Sequence, residues 1–119
     1  IINKKMSIGK YNFKDITRGD TTPSTGFTVK TVSPDAPVDL TGAAIKVAFK
    51  RGKTLIEKTI GNGIVVSAPT TGVFILQPFQ FNIAGCYVYD IEITYSNGSI
   101  STIVNGEINV INDVSIWVI

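Results

Sequence analysis

The chain has 119 residues, of which 44% are hydrophobic and 17% charged, with no histidine, one cysteine and a mean hydropathy of +0.25. That length holds one domain around one core, and that composition excludes a disordered chain. The 11 basic and 9 acidic residues are interspersed, so the net charge of +2 makes no basic face for nucleic acid, and the apolar runs fall far short of the roughly 20 residues a membrane-spanning helix needs.

Residues 1–9 read as an N-terminal arm. Lys4, Lys5, Lys10 and Lys14 lie close together, as at a solvated end, and Ile1-Ile2-Asn3-Lys4-Lys5 lacks the charged-then-apolar order of a secretory signal. Residues 10–17 predict a first strand through Tyr11, Phe13 and Ile16, with a bulge near Asp15 where the alternation slips. Residues 18–26, with Gly19, Pro23 and Gly26, are a loop by composition. A second strand is expected over residues 26–32, with Phe27, Val29 and Thr31 on one face, followed by a loop bracketed by Pro34 and Pro37 in which backbone pairing lapses.

Asp39-Leu40-Thr41-Gly42 turns the chain into a nearly ideal strand over residues 44–50, where Ile45, Val47 and Phe49 alternate with Lys46, Ala48 and Lys50. The return over residues 54–60 is more polar and predicts an edge strand. Residues 64–66, 69–72 and 73–76 read as strand, turn and strand. The strongest signal follows: Tyr87, Tyr89, Ile91, Ile93 and Tyr95 alternate with Val88, Asp90, Glu92 and Thr94, and Asn97-Gly98 then supplies a tight primed turn into an antiparallel strand over residues 99–104. Asn105-Gly106 is either a further turn or a kink before residues 107–111. Short strands, frequent turn signals and no sustained helical period predict an antiparallel immunoglobulin-like β-sandwich over residues 10–113, with a small β-barrel as the alternative. In that fold Tyr87, Tyr89, Ile91 and Ile93 face the core opposite Ile45, Val47 and Phe49.

The missing histidine removes the usual general base and the usual transition-metal ligand, so neither an enzyme nor a metal or cofactor site is expected. Asp35, Asp39, Asp90, Glu92 and Asp113 are carboxylates, but Asp90 and Glu92 share the wet face of a strand, where such groups simply solvate. No nucleophile elbow or phosphate-cradling glycine motif occurs. Cys86 has no internal partner and reads as a structural thiol at a strand start, which suits assembly in a reducing cytoplasm. Arg18-Gly19-Asp20 matches an integrin-binding tripeptide and Asn97-Gly98-Ser99 a glycosylation pattern; both are better read as turns.

Asp15-Ile16-Thr17-Arg18-Gly19-Asp20-Thr21, then Asp39-Leu40-Thr41-Gly42-Ala43 opening a strand, then Ala84-Gly85-Cys86-Tyr87-Val88-Tyr89-Asp90-Ile91 form an ordered set. In that set the chain resembles the N-terminal domain of phage baseplate upper proteins and related fibre-anchoring domains, over most of residues 10–113. The resemblance implies a non-catalytic virion structural domain, assembled in the host cytoplasm. It would dock a fibre or receptor-binding component onto the baseplate or capsid, with other virion structural proteins as partners. A carbohydrate- or cell-surface-binding sandwich is the alternative function.

Residues 114–119 form an apolar tail. Ile116, Trp117, Val118 and Ile119 follow one another without a charge, and a strand cannot hide both faces of such a run against one sheet. These four residues are therefore expected to form an interface, in a homo-oligomer or with a further segment, with Trp117 as the anchor.

Overall fold

The computed structural model describes residues 9–31 and 34–113. They form an all-β domain whose strands are β1 (Gly9–Lys10), β2 (Ile16–Thr17), β3 (Thr25–Thr28), β4 (Lys30–Thr31), β5 (Ala36–Pro37), β6 (Ala44–Arg51), β7 (Thr54–Ile60), β8 (Gly63–Ala68), β9 (Val73–Leu76), β10 (Gly85–Thr94) and β11 (Ile100–Ile111). A single turn of 3-10 helix, Pro69–Thr71, joins β8 to β9, and no α-helix occurs among the described residues.

The predicted hairpin is the centre of the fold, with β10 paired antiparallel to β11 on one side and to β6 on the other. Its turn differs from the expected one. A two-residue turn centred on Asn97-Gly98 needs positive φ at both positions (type I′) or at the first (type II′), whereas Gly98 has it (φ 90°) and Asn97 does not. Tyr95 accepts from the Gly98 N–H (2.8 Å) and donates its own to the Ser99 carbonyl (2.8 Å), closing a three-residue loop over Ser96, Asn97 and Gly98. Asn97 Oδ1 accepts from the Ser99 N–H and hydroxyl, so the asparagine holds the loop through its side chain and not through its backbone angle.

Hydrogen bonds run in one path, β1-β11-β10-β6-β7-β8-β9-β3. β11, β10, β6 and β7 form one antiparallel layer of this curled sheet and β8, β9 and β3 the other, an order compatible with the predicted sandwich and with the small barrel. The layers are joined on one side at Gly61-Asn62-Gly63, where β7 passes into β8 through a short parallel contact. On the other side β1 and β3 do not pair, so the sheet is curled and open along one seam. Among the described residues most of β7 has no second neighbour, as the sequence predicted for this polar strand.

The first strand, expected over residues 10–17 with a bulge near Asp15, is in two pieces. β1 and β2 are two-residue pieces, both parallel to β11, bridged by Tyr11 N–H to the Asn105 carbonyl and Phe13 N–H to the Glu107 carbonyl (both 3.0 Å). Gly9 therefore belongs to β1 and not to the arm. The loop bracketed by prolines also pairs: Pro37 lies opposite Lys30 and Ala36 opposite Thr31. Proline lacks a donor but not an acceptor, and among the described residues no third strand pairs with this piece, so the missing N–H breaks no ladder.

Asn105 and Gly106 do not turn the chain, because β11 runs through them; the bulge lies earlier, at Ile103, between the Ile91–Val104 and Glu92–Thr102 pairs. The anticipated core residues Tyr87, Tyr89, Ile91, Ile93, Ile45, Val47 and Phe49 are all buried. They lie side by side on adjacent strands of one layer, with Tyr89 beside Phe49 and Ile91 beside Val47, so they do not oppose one another. What faces them is Ile64, Phe74 and Leu76 from the second layer, with Leu40 and Phe81 from the connections. Fully burying one such side chain contributes about 1.5–3 kcal/mol.

Two tyrosine hydroxyls tie this core to the backbone at its margins. Tyr87 Oη donates to the Ile83 carbonyl (2.6 Å), the corner contact found where a strand enters an immunoglobulin-like layer. Tyr89 Oη donates to the Tyr11 carbonyl (2.5 Å) and so holds the N-terminal segment.

Candidate functional site

Every motif that could carry chemistry resolves into local structure. In Arg18-Gly19-Asp20, Arg18 donates through Nε (2.9 Å) and Nη2 (2.5 Å) to Asp113 Oδ1, the Gly19 N–H goes to the Phe81 carbonyl and the Asp20 N–H to the Thr17 carbonyl. The tripeptide is thus a corner, and its arginine is already paired. The Arg18 N–H also reaches the Ile111 carbonyl (2.7 Å), so this corner fixes the end of β11 twice.

The Asp39 carboxylate accepts from the Thr41 hydroxyl and N–H, which holds its pKa below the ordinary value and closes the turn before β6. Glu92 and Glu57 flank Lys46 at 3.9 Å each on the outer face, an exposed charge ladder of small energetic weight. Cys86 is exposed near Glu107, so it is no part of the core. Among the described residues no cluster of three or more His, Cys, Asp or Glu is placed to hold a metal ion, and no helix is long and apolar enough to cross a membrane.

One concavity lies at the open seam. A cavity of about 500 Å³ lies between the N-terminal segment, at Tyr11, Phe13 and Ile16, and residues 22–26 leading into β3. Phe49, Leu76, Phe79 and Ile108 form its floor, and Lys14 and Asp15 stand among its lining residues. The Tyr11 ring meets Phe13 edge-on at 5.0 Å and Phe27 at 6.2 Å across the seam, while Phe13 leans on Phe49 and Tyr89. A smaller recess, lined by Lys10, Tyr11, Thr25, Gly26, Phe27 and Val104, continues along it.

One wall is strand edge. Among the described residues β3 pairs only with β9, and the Thr21–Gln80 bridge continues that ladder in the same register, which leaves the other edge of β3 toward the seam. The chemistry such a site offers is apolar contact and backbone hydrogen bonding, with Lys14 and Asp15 at hand.

The four interface residues expected from the sequence, Ile116, Trp117, Val118 and Ile119, lie outside the described residues. The seam was missed by the sequence reading, which took its two walls as a strand and a loop without relation to each other. A usable signal was present in Thr25-Gly26-Phe27-Thr28, a strand without charge or proline. No protein-family model and no curated protein matches the chain.

Proposed function

We propose that this domain is a non-catalytic structural module of a tailed-phage virion, which anchors a fibre or receptor-binding component to the baseplate or capsid and assembles as a homo-oligomer. The observation that carries the reading is where the three motifs of the resemblance fall. Arg18-Gly19-Asp20 fixes the end of β11, Asp39-Leu40-Thr41-Gly42 shapes the entry to β6, and Gly85-Cys86-Tyr87 makes the tyrosine corner of β10. All three are junctions of the scaffold. A chain whose distinctive residues build the frame, and which carries a largely apolar seam beside a strand edge, is suited to holding other chains.

The test is to induce phage from a host that encodes the chain, purify intact particles by density gradient and probe them with an antibody to the domain. The expected result is a fixed copy number on particles, with label at the tail tip or on the head. Recovery of the chain only in the soluble fraction would remove the reading.

Tyr11 favours a second reading, since the residue is 45% exposed at the seam and sugar rings stack on exposed aromatic faces. Sugar-dependent binding on a glycan panel, lost in Tyr11→Ala, would support a carbohydrate-binding module instead.

A further inference from the structure

We infer that the seam between the N-terminal segment and β3 receives the apolar C-terminal segment, residues 114–119, of a second copy of this chain. The inference deepens the assembly reading above, on which it rests, by naming the receiving surface and its occupant.

Three observations carry it. The first is the edge of β3. Exposed edges are ordinarily guarded by lysine, proline, a bulge or a covering loop. The free part of β7 carries Glu57 and Lys58, whereas Thr25-Gly26-Phe27-Thr28 carries no such guard. An unguarded edge beside a greasy groove is the arrangement in which an added strand gains backbone hydrogen bonds and lodges alternate side chains in pockets.

The second is the match of occupant to site. Tyr11, Phe13, Ile16, Phe49, Leu76 and Phe79 give the cavity its apolar lining, beside Lys14, Asp15 and the threonines and serine of residues 22–25. The segment Ser115-Ile116-Trp117-Val118-Ile119 is uncharged, rich in β-branched and aromatic residues, and apolar on both faces of any strand it forms. Six residues extend about 20 Å, comparable with the stretch from Tyr11 to Ile16 that walls the groove.

The third is direction. Arg18 grips the Ile111 carbonyl through its N–H and Asp113 through its guanidinium, so β11 ends at the turn that follows β2. The seam runs back from that turn toward Tyr11, because β1 and β2 are parallel to β11. A chain that continued in the direction of β11 would leave its own seam behind and be free to reach that of a neighbour. Each copy offers one tail and one seam, a head-to-tail contact that closes into a ring when the rotation between copies allows it.

Gly26 gives a clean test: it is exposed, lines both recesses, and a Cβ there meets no atom within 4 Å. In a Cys86→Ser background, one full-length preparation carries Gly26→Cys and another Val118→Cys. The two are mixed and treated with a short bismaleimide. The expected result is a heterodimer linking the two preparations. In the unsubstituted chain, emission of Trp117, the single tryptophan, should shift to the blue as concentration rises, and Gly26→Arg should move that transition at least tenfold higher with an unchanged unfolding midpoint. An internal link in dilute double-substituted monomer would overturn the inference, since the tail would then fill its own seam. Monomer at all concentrations would overturn it, as would a Gly26→Arg effect that persists in a chain truncated after Asp113. Particles that carry the chain while no link forms would leave the virion reading standing and remove this docking. A link without incorporation into particles would do the reverse.

Discussion

Gly106 lies directly across the β10–β11 ladder from Tyr89, and the Tyr11 carbonyl that Tyr89 Oη binds sits where a side chain at 106 would begin. A Cβ there would come within 1.9 Å of that oxygen. Gly106→Ala is therefore expected to displace the N-terminal segment, at a cost of about 1–3 kcal/mol. Chemical denaturation gives the loss, and amide exchange should show it concentrated at Tyr11 and Phe13.

Tyr89→Phe keeps the ring and removes the bond, and is expected to cost about 1–2 kcal/mol because the carbonyl loses its partner. The substitution also bears on alkaline stability. Burial pushes the Tyr89 phenol well above its ordinary value, and burial raises those of Tyr87 and Tyr95 in the same direction. A raised pKa in the fold means that the unfolded chain releases its protons first. The contribution is complete below about pH 10, the unfolded value, and falls as pH rises above it. Unfolding followed from pH 8 to 11.5 should show a decline that is shallower in Tyr89→Phe; an unchanged slope would place the loss in other groups.

Ile91 is fully buried beside Val47, while its neighbour Glu92 faces outward to Lys46. Ile91→Ala should cost about 2–5 kcal/mol through lost burial and the cavity left. Glu92→Ala should change stability by less than about 0.5 kcal/mol, since the pair is solvent-exposed. Equal midpoints in urea would mean that the strand presents its other face to the core.

Trp117→Ser is expected to weaken self-association with little effect on the unfolding midpoint, as read by sedimentation at several concentrations beside thermal melts. A large drop in midpoint with unchanged mass would instead assign Trp117 to the core of its own domain.

How much of this fold could be read from the chain depended on whether a feature is local. The alternation from Tyr87 to Thr94 states its own two faces, and burial follows it residue by residue. The alternation cannot say which strand supplies the opposite layer, and so Ile45, Val47 and Phe49 were placed across the core when they are neighbours within a sheet. Asn97-Gly98 marked the hairpin correctly, but whether the loop holds two residues or three is set by the register that closes it, Thr94 against Ile100. Gly106 read equally as a turn or as a kink in a continuing strand, because a glycine inside a strand has no local justification. Its reason is the carbonyl of a residue far back in sequence. The seam was illegible for the same cause, since its walls meet only once β1 and β2 lie along β11.

The parallel alignment of β1 and β2 with β11 also decides how the domain bears load. Gly9 lies beside Val104 and Thr17 beside Ile111, so tension pulling the chain apart at residues 9 and 113 acts along both strands in opposite directions. The bonds from Tyr11, Phe13 and Arg18 to β11 are then strained together in shear, whereas an antiparallel first strand pulled from the same points would peel away one bond at a time. The Arg18–Asp113 pair lies at the end of that line, where force entering through the C-terminal side first reaches the sheet.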